Sequence, residues 1–131
     1  MTNINFISKR IVLYFHEQLI QIYGGTPGIR DENLLDSALA QPRLSHEGSY
    51  LHDSLFEMAA AYGYHICKNH PFVDGNKRTS LVVMDTFLQK NGYEITASEK
   101  ETYKIIMALA SGEITKNELC EWLEENSDEL D

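Results

Sequence analysis

The stretch with the clearest chemical potential is residues 70–80, with the sequence HPFVDGNKRTS. It places a base, a carboxylate, a glycine turn, an amide and two cations within nine residues. Apolar helical patterns flank it, so its polar groups should lie between the end of one helix and the start of the next. A helix N-terminus offers unpaired N–H groups and positive partial charge, which favour an anion. The stretch therefore predicts a phosphate-binding catalytic loop.

Each residue type in this loop suits a different part of phosphate chemistry. The imidazole of His70, with an ordinary pKa near ~6.5, can accept a proton from a hydroxyl near neutral pH. Asp74 is the only carboxylate of the loop, and its best use beside a phosphate is to hold Mg²⁺. Gly75 permits a tight turn that presents N–H groups to an anion. The predicted phosphate-binding residues are Gly75, Asn76, Lys77 and Arg78.

Taken one at a time, these residues have ordinary explanations. A histidine at a helix C-terminus is often a cap, Asp-Gly is often only a turn, and a Lys-Arg pair is often solvated. Asn76 could fix the turn as well as donate to phosphate. The ordinary explanations do not account for a base, an acid, a turn and two cations at one helix N-terminus.

Around this loop the apolar periodicity predicts an all-α protein, a compact six-helix domain with little or no sheet. The loop joins the two central helices, which are apolar nearly all round. We predict a single domain over residues 1–131, with an acidic, frayed tail from about residue 127. The predicted helical segments are residues 8–23, a short helix ending before Pro42, and residues 53–69, 79–91, 98–110 and 115–125.

The connections between helices carry two further expectations. Residues 43–51 show no clear period and precede the first central helix, so they could form a lid, a docking flap or a plain connection. Residues 93–95 should be a short extended piece. Cys67 and Cys120 each fall on an apolar helical face, and we expect both to be buried and reduced.

Composition excludes several classes of function. No apolar run approaches the ~20 residues that span a bilayer, and no secretory signal is visible, so we expect a cytoplasmic protein with no membrane partner. The net charge is −9, and residues 99–131 hold ten acidic residues against three lysines. This distribution argues against nucleic acid as a partner, since only Lys77 and Arg78 favour it.

Residues 70–81 resemble the signature of the Fic/Doc (Fido) family, His-x-Phe-x-Asp/Glu-Gly-Asn-Gly-Arg-x-x-Arg. Lys77 stands in place of the second glycine and Leu81 in place of the last arginine. The death-on-curing (Doc) branch shares both departures, and residues 23–40 also resemble the amino-terminal part of Doc-like proteins. The matching residues are His70, Phe72, Asp74, Gly75, Asn76 and Arg78.

The resemblance implies transfer of a group from ATP to a protein hydroxyl in the Fido fold. In the Doc-like branch the transferred group is the γ-phosphate, so the chain would be a Ser/Thr protein kinase. His70 would be the general base, Asp74 would hold Mg²⁺, and residues 75–78 would hold the phosphates. The implied target is a translation protein of the elongation factor Tu class, and the implied inhibitor is a small antitoxin.

Other outcomes stay open at the level of sequence. An AMP transferase of the ordinary Fic kind is the nearest alternative, and a non-catalytic module that binds an antitoxin is another. Many Fic proteins carry their own inhibitory helix with the pattern Ser/Thr-x-x-x-Glu-Gly/Asn. The Glu-Gly and Glu-Asn pairs at residues 47–48, 32–33 and 125–126 are preceded at that spacing by Arg43, Gly28 and Glu121, so none fits. Inhibition in trans is therefore expected.

Overall fold

The computed structural model describes residues 3–131, which form six α-helices and two small antiparallel ribbons. A short 3₁₀ helix, Gln41–Arg43, follows the second α-helix. The elements in chain order are α1 (Lys9–Tyr23), α2 (Glu32–Ala40), β1 (Ser45–His46), β2 (Ser49–Tyr50), α3 (Leu55–Asn69), α4 (Asn76–Lys90), β3 (Tyr93–Ile95), α5 (Glu99–Ala110), α6 (Lys116–Glu125) and β4 (Ser127–Glu129). The all-α prediction and the six-helix count are confirmed. None of the helices in this described part has the length and apolar character to cross a bilayer.

The helices begin where their capping residues place them. The Ser8 and Asp31 side chains accept hydrogen bonds from backbone N–H groups in the first turns of α1 and α2. Full capping boxes start α5, with Ser98 and Glu101, and α6, with Thr115. Because these signals are local, the sequence located these starts to within a residue or two.

The start of α4 differs from the prediction. The helix begins at Asn76, three residues before the predicted Thr79, because Gly75 adopts a left-handed conformation and turns the chain directly into the helix. Asn76, Lys77 and Arg78 therefore belong to the first turn of α4. Their backbone N–H groups therefore sit at the positive end of α4.

The core is built around α3, which packs against α2, α4 and α6. Residues Ala59–Tyr62 have no solvent exposure. At Gly63 a Cβ atom would lie only 3.0 Å from the Met84 sulfur, and the Ser80 hydroxyl donates a 2.8 Å hydrogen bond to the Gly63 carbonyl. The small residues thus let α3 and α4 approach closely, which fixes the two ends of the loop between them.

One ribbon lies within residues 43–51, a loop or short extended segment by its sequence, and the other pairs the short extended piece predicted at residues 93–95 with the tail. Residues 45–50 form the β1–β2 hairpin. The tail is ordered through residue 129, because β4 pairs with β3 and Leu130 donates a 2.8 Å hydrogen bond to Gly92. The prediction of fraying from about residue 127 was therefore wrong at β4. The backbone of β4 completes the edge of β3, although Ser-Asp-Glu has little strand propensity of its own.

Candidate active site

The loop between α3 and α4 is bracketed by two left-handed residues. His70 ends α3 at φ 49° and ψ 53°, and Gly75 starts α4 at φ 80° and ψ 16°. For a histidine this conformation is uncommon and costs about 1 kcal/mol, so the surroundings must hold it. Pro71 follows His70 and prevents α3 from continuing. The predicted base is thereby exposed at the rim of the loop.

Asn76 closes the loop from inside. Its Oδ1 accepts a 3.0 Å hydrogen bond from the Phe72 N–H, and its Nδ2 donates a 3.0 Å hydrogen bond to the Phe72 carbonyl. The side chain is buried, with 5% exposure. Of the two uses foreseen for this amide, the structure shows the fixing of the turn. Asn76 can therefore serve an anion through its backbone N–H, while its side chain stays with Phe72.

The segment between α1 and α2 holds the loop from outside. The N–H groups of Arg30 and Asp31 both donate to the Pro71 carbonyl, at 2.7 and 3.0 Å, and the Val73 N–H donates to Gly28 at 3.1 Å. These bonds align residues 28–31 beside the loop as an extra strand-like edge, with a β-bridge from Ile29 to Phe72.

The guanidinium of Arg30 completes this outer support. Its Nε donates to the His70 carbonyl at 2.7 Å, and its Nη2 donates to the Asn69 carbonyl at 2.9 Å. Both carbonyls belong to the end of α3, where the last carbonyls have no helical partner. Arg30 therefore fixes the backbone of the predicted base without contacting its imidazole.

His16 is a site residue that the sequence analysis did not identify. It is one of the two buried residues of α1 and stacks on Phe72, with 3.8 Å between ring centroids and 9° between planes. Its Nε2 lies 2.8 Å from the Asp74 carbonyl oxygen. A carbonyl only accepts, so Nε2 carries the hydrogen. The available signal was a lone histidine four residues after Val12 on the apolar face of α1.

The carboxylate of Asp74 is held by backbone groups. Its Oδ1 accepts from the Gly75 N–H at 3.0 Å, and its Oδ2 accepts from the Thr26 N–H at 3.2 Å. A Cβ atom on Gly25 would lie 2.8 Å from Oδ2, so only glycine allows this approach. Each oxygen retains a lone pair, and the residue is exposed.

One carboxylate of this kind fits Mg²⁺, which commonly takes one or two protein carboxylates together with phosphate oxygens and water. Within residues 3–131 no cluster of three or more histidine, cysteine or acidic side chains could hold a metal by itself. The donor set therefore suits a metal that arrives with a phosphate ligand.

The N-terminus of α4 has free donors. Gly75 provides no side-chain cap, and the first helical hydrogen bond runs from the Thr79 N–H to the Gly75 carbonyl at 3.0 Å. The N–H groups of residues 76–78 precede it. This arrangement suits an anion such as a phosphate.

A cleft of about 640 Å³ brings the predicted residues together. It is open on one side, and among residues 3–131 Asp74 is its only acidic lining residue. Leu81 lies outside it and packs against the core, so no cation comes from that position. All six predicted site residues line the cleft, namely His70, Asp74, Gly75, Asn76, Lys77 and Arg78.

Comparison with known proteins places this fold and loop in a family. The Fic/DOC family model matches residues 6–88, which run from α1 through most of α4 and include the loop. The chain belongs to the Fic/Doc family, and its six helices are consistent with the all-α fold of that family.

Individual relatives show which branch it resembles. The chain is 40% identical to "Toxin Doc" of Mycolicibacterium smegmatis over 75 residues, covering 57% of this chain and 58% of that protein. It is 31% identical to "Protein kinase doc" of Escherichia phage P1 over 119 residues, covering 89% and 91%. It is also 35% identical to "Protein adenylyltransferase Fic" of Drosophila melanogaster over 97 residues, covering 70% of this chain and 19% of that protein.

Proposed function

We propose that this chain is a Doc-like toxin, a cytoplasmic enzyme that transfers the γ-phosphate of ATP to a Ser or Thr hydroxyl of a protein. The observation that carries the proposal is that one cleft joins an exposed imidazole, a backbone-held carboxylate and the N-terminus of α4. Similarity to a protein kinase along nearly the whole chain supports the same reaction.

In the proposed reaction His70 takes the proton of the attacking hydroxyl. The hydroxyl oxygen forms a bond to the γ-phosphorus as the bond from that phosphorus to the β–γ bridging oxygen breaks, and ADP leaves. Negative charge on the phosphates is stabilised by the N–H groups of residues 76–78 and by the cations of Lys77 and Arg78. Asp74 would hold Mg²⁺, which supplies additional charge neutralisation when bound.

Two departures from the Fic signature, Lys77 and Leu81, support the γ-phosphate as the transferred group because the Doc-like branch shares them. In the Fic signature the final arginine helps to hold the terminal phosphates, and Leu81 has no charge for this task. The similarity to the fly adenylyltransferase keeps AMP transfer as the second candidate. The two reactions differ in which phosphorus reaches the protein.

The proposed partners follow from the same branch. We propose a translation factor of the elongation factor Tu class as substrate and a separately encoded antitoxin as inhibitor. The relative named as a toxin supports the existence of an antitoxin. The absence of the self-inhibitory pattern from the sequence is consistent with inhibition in trans.

Labelled ATP tests the reaction. The chain is incubated with a cell extract and either α- or γ-labelled ATP, and protein-bound label is measured. We expect label from γ-ATP alone, on Ser or Thr. Label from α-ATP alone would establish AMP transfer in its place, and label from neither would leave a binding module.

A further inference from the structure

Arg78 makes cation–π contacts with two tyrosine rings in the wall of the cleft. Its Cζ atom lies 3.8 Å from the centroid of the Tyr23 ring and 4.9 Å from that of Tyr103. Tyr23 is the last residue of α1, whereas Tyr103 belongs to α5. Two elements that are distant in sequence thus converge on one side chain of α4.

The contact leaves the hydrogen-bonding groups of Arg78 available. A guanidinium has two flat faces and an edge that carries five N–H donors. The two rings contact the guanidinium as cation–π partners, and within residues 3–131 no hydrogen bond or ion pair involves its N–H groups. The donors therefore remain for a ligand in the cleft that Arg78 lines.

Tyr23 makes this contact while much of its surface remains exposed to solvent. Tyr23 is 52% exposed as a residue, although it is a large aromatic group on a helix whose apolar face points inward. Gly24 follows at φ 82° and ends α1, with its N–H bonded to Ile20 at 2.8 Å, so the chain turns away and leaves the ring at the cleft. Packing of the core does not explain a half-exposed tyrosine at this point.

We propose that Tyr23 and Tyr103 are positioning residues that hold the guanidinium of Arg78 with its donor edge toward the phosphate chain of the ligand. The ligand class is a di- or triphosphate, and its identity as ATP rests on the proposed function. Arginine loses considerable rotamer freedom when it binds an anion. The two rings remove that freedom beforehand, so binding is tighter than with an unsupported arginine.

The two tyrosines could also hold Arg78 away from the ligand, which we call a storage role. Arg78 would then have to leave the rings before it could bind a phosphate. Loss of a ring would then strengthen binding. The sign of the change in affinity thus separates a positioning role from a storage role.

The test measures binding of two probes, inorganic triphosphate and ATP, each with Mg²⁺, by calorimetry. We expect Tyr23→Leu to weaken both affinities by up to about tenfold, because the Arg78 side chain must then be ordered as the ligand binds. Tyr23→Phe keeps the ring and should stay within about twofold of the parent. Tyr14→Leu removes an equally exposed tyrosine of α1 that lies outside the cleft, and it should change neither affinity.

A second background shows whether the effect passes through Arg78. In Arg78→Lys, which has no planar group to stack, Tyr23→Leu should weaken binding by much less than in the parent. Tyr103→Leu should follow the same pattern. The Nε–H resonance of Arg78 gives a readout without any ligand, and we expect ring-current shifts that Tyr23→Leu reduces.

Three results would overturn the proposal. They are unchanged affinity in Tyr23→Leu, tighter binding in that variant, or an equal loss in the Arg78→Lys background. Failure of the proposed function is a separate result. If the chain binds triphosphate in the expected pattern but transfers no phosphate to protein, the positioning role stands and the kinase proposal fails.

Discussion

His16 donates a 2.8 Å hydrogen bond from Nε2 to the backbone carbonyl of Asp74, the residue proposed to hold the metal. The same ring lies flat on Phe72, the anchor of the loop. A buried histidine of α1 thus supports the catalytic loop at two neighbouring points. These two contacts support a role for His16 in positioning Asp74 and Gly75.

Replacement of His16 tests this support. His16→Phe keeps a stacking ring but leaves the Asp74 carbonyl unpaired, which should lower the free energy of unfolding by about 1–3 kcal/mol. Because the carboxylate then loses its fixed backbone, kcat should fall about tenfold or more. His16→Gln retains an N–H donor and should recover part of kcat. Urea unfolding and steady-state phosphate transfer measure the two effects, and full activity in His16→Phe would refute the positioning role.

Asn76 should matter more for stability than the exposed Asn117. Asn76→Ala removes both hydrogen bonds to Phe72 and strands a buried N–H and a buried carbonyl, so we expect a loss of about 2–4 kcal/mol. Asn117→Ala, at an exposed position of α6, is the matched control and should change stability by less than about 0.5 kcal/mol. Chemical denaturation of both variants gives the comparison. Equal losses of stability in the two variants would mean that the Asn76–Phe72 hydrogen bonds contribute little to the free energy of unfolding.

Gly25 offers a way to move the Asp74 carboxylate without changing it. In Gly25→Ala the new Cβ would meet Oδ2 at 2.8 Å, so the carboxylate must shift and the Mg²⁺ concentration for half-maximal activity should rise several-fold. Gly92→Ala imposes a similar positive φ with no atom within 4 Å, and it controls for backbone strain. Measuring activity against Mg²⁺ concentration distinguishes the Gly25→Ala variant from the Gly92→Ala control. The proposed metal role of Asp74 is contradicted if both variants have the parent's Mg²⁺ dependence.

His65 should make stability depend on pH. Burial lowers the pKa of this imidazole to about 4, with added repulsion from the Lys116 ammonium and from His52. The unfolded chain therefore binds a proton on this group between about pH 6.5 and 4 while the folded chain does not, so the free energy of unfolding falls as pH drops through that range. His65→Phe should flatten this part of the profile, whereas His46→Phe, at an exposed position, should not. Parallel profiles for the parent and His65→Phe would exclude the effect.

The sequence predicted what is encoded locally. Capping residues such as Ser8 and Asp31 act within one turn, so they mark helix starts without knowledge of the fold. The loop residues were identified for a similar reason, since all six are close together in the chain. The end of the loop was misplaced because Gly75 and Asn76 could equally have continued the turn.

Support for the site could not be predicted in the same way. The supporting residues come from other elements: His16 and Tyr23 from α1, Tyr103 from α5, and Arg30 from the segment before α2. Nothing in their local sequence shows that they contact the loop. Pairing of β4 with β3 is similarly a matter of tertiary proximity, as its residue types favour solvent. Periodicity shows which face of a helix is buried, whereas the partner of that face depends on the complete packing.

The most direct test of the account compares the parent chain with His70→Ala in transfer of label from γ-labelled ATP to protein. We predict that His70→Ala binds ATP about as well as the parent, because His70 is not among the proposed phosphate ligands. Its transfer rate should be at least about a hundredfold lower, because the attacking hydroxyl has no base. Undiminished transfer by His70→Ala would contradict the central claim that this loop carries the phosphate-transfer chemistry.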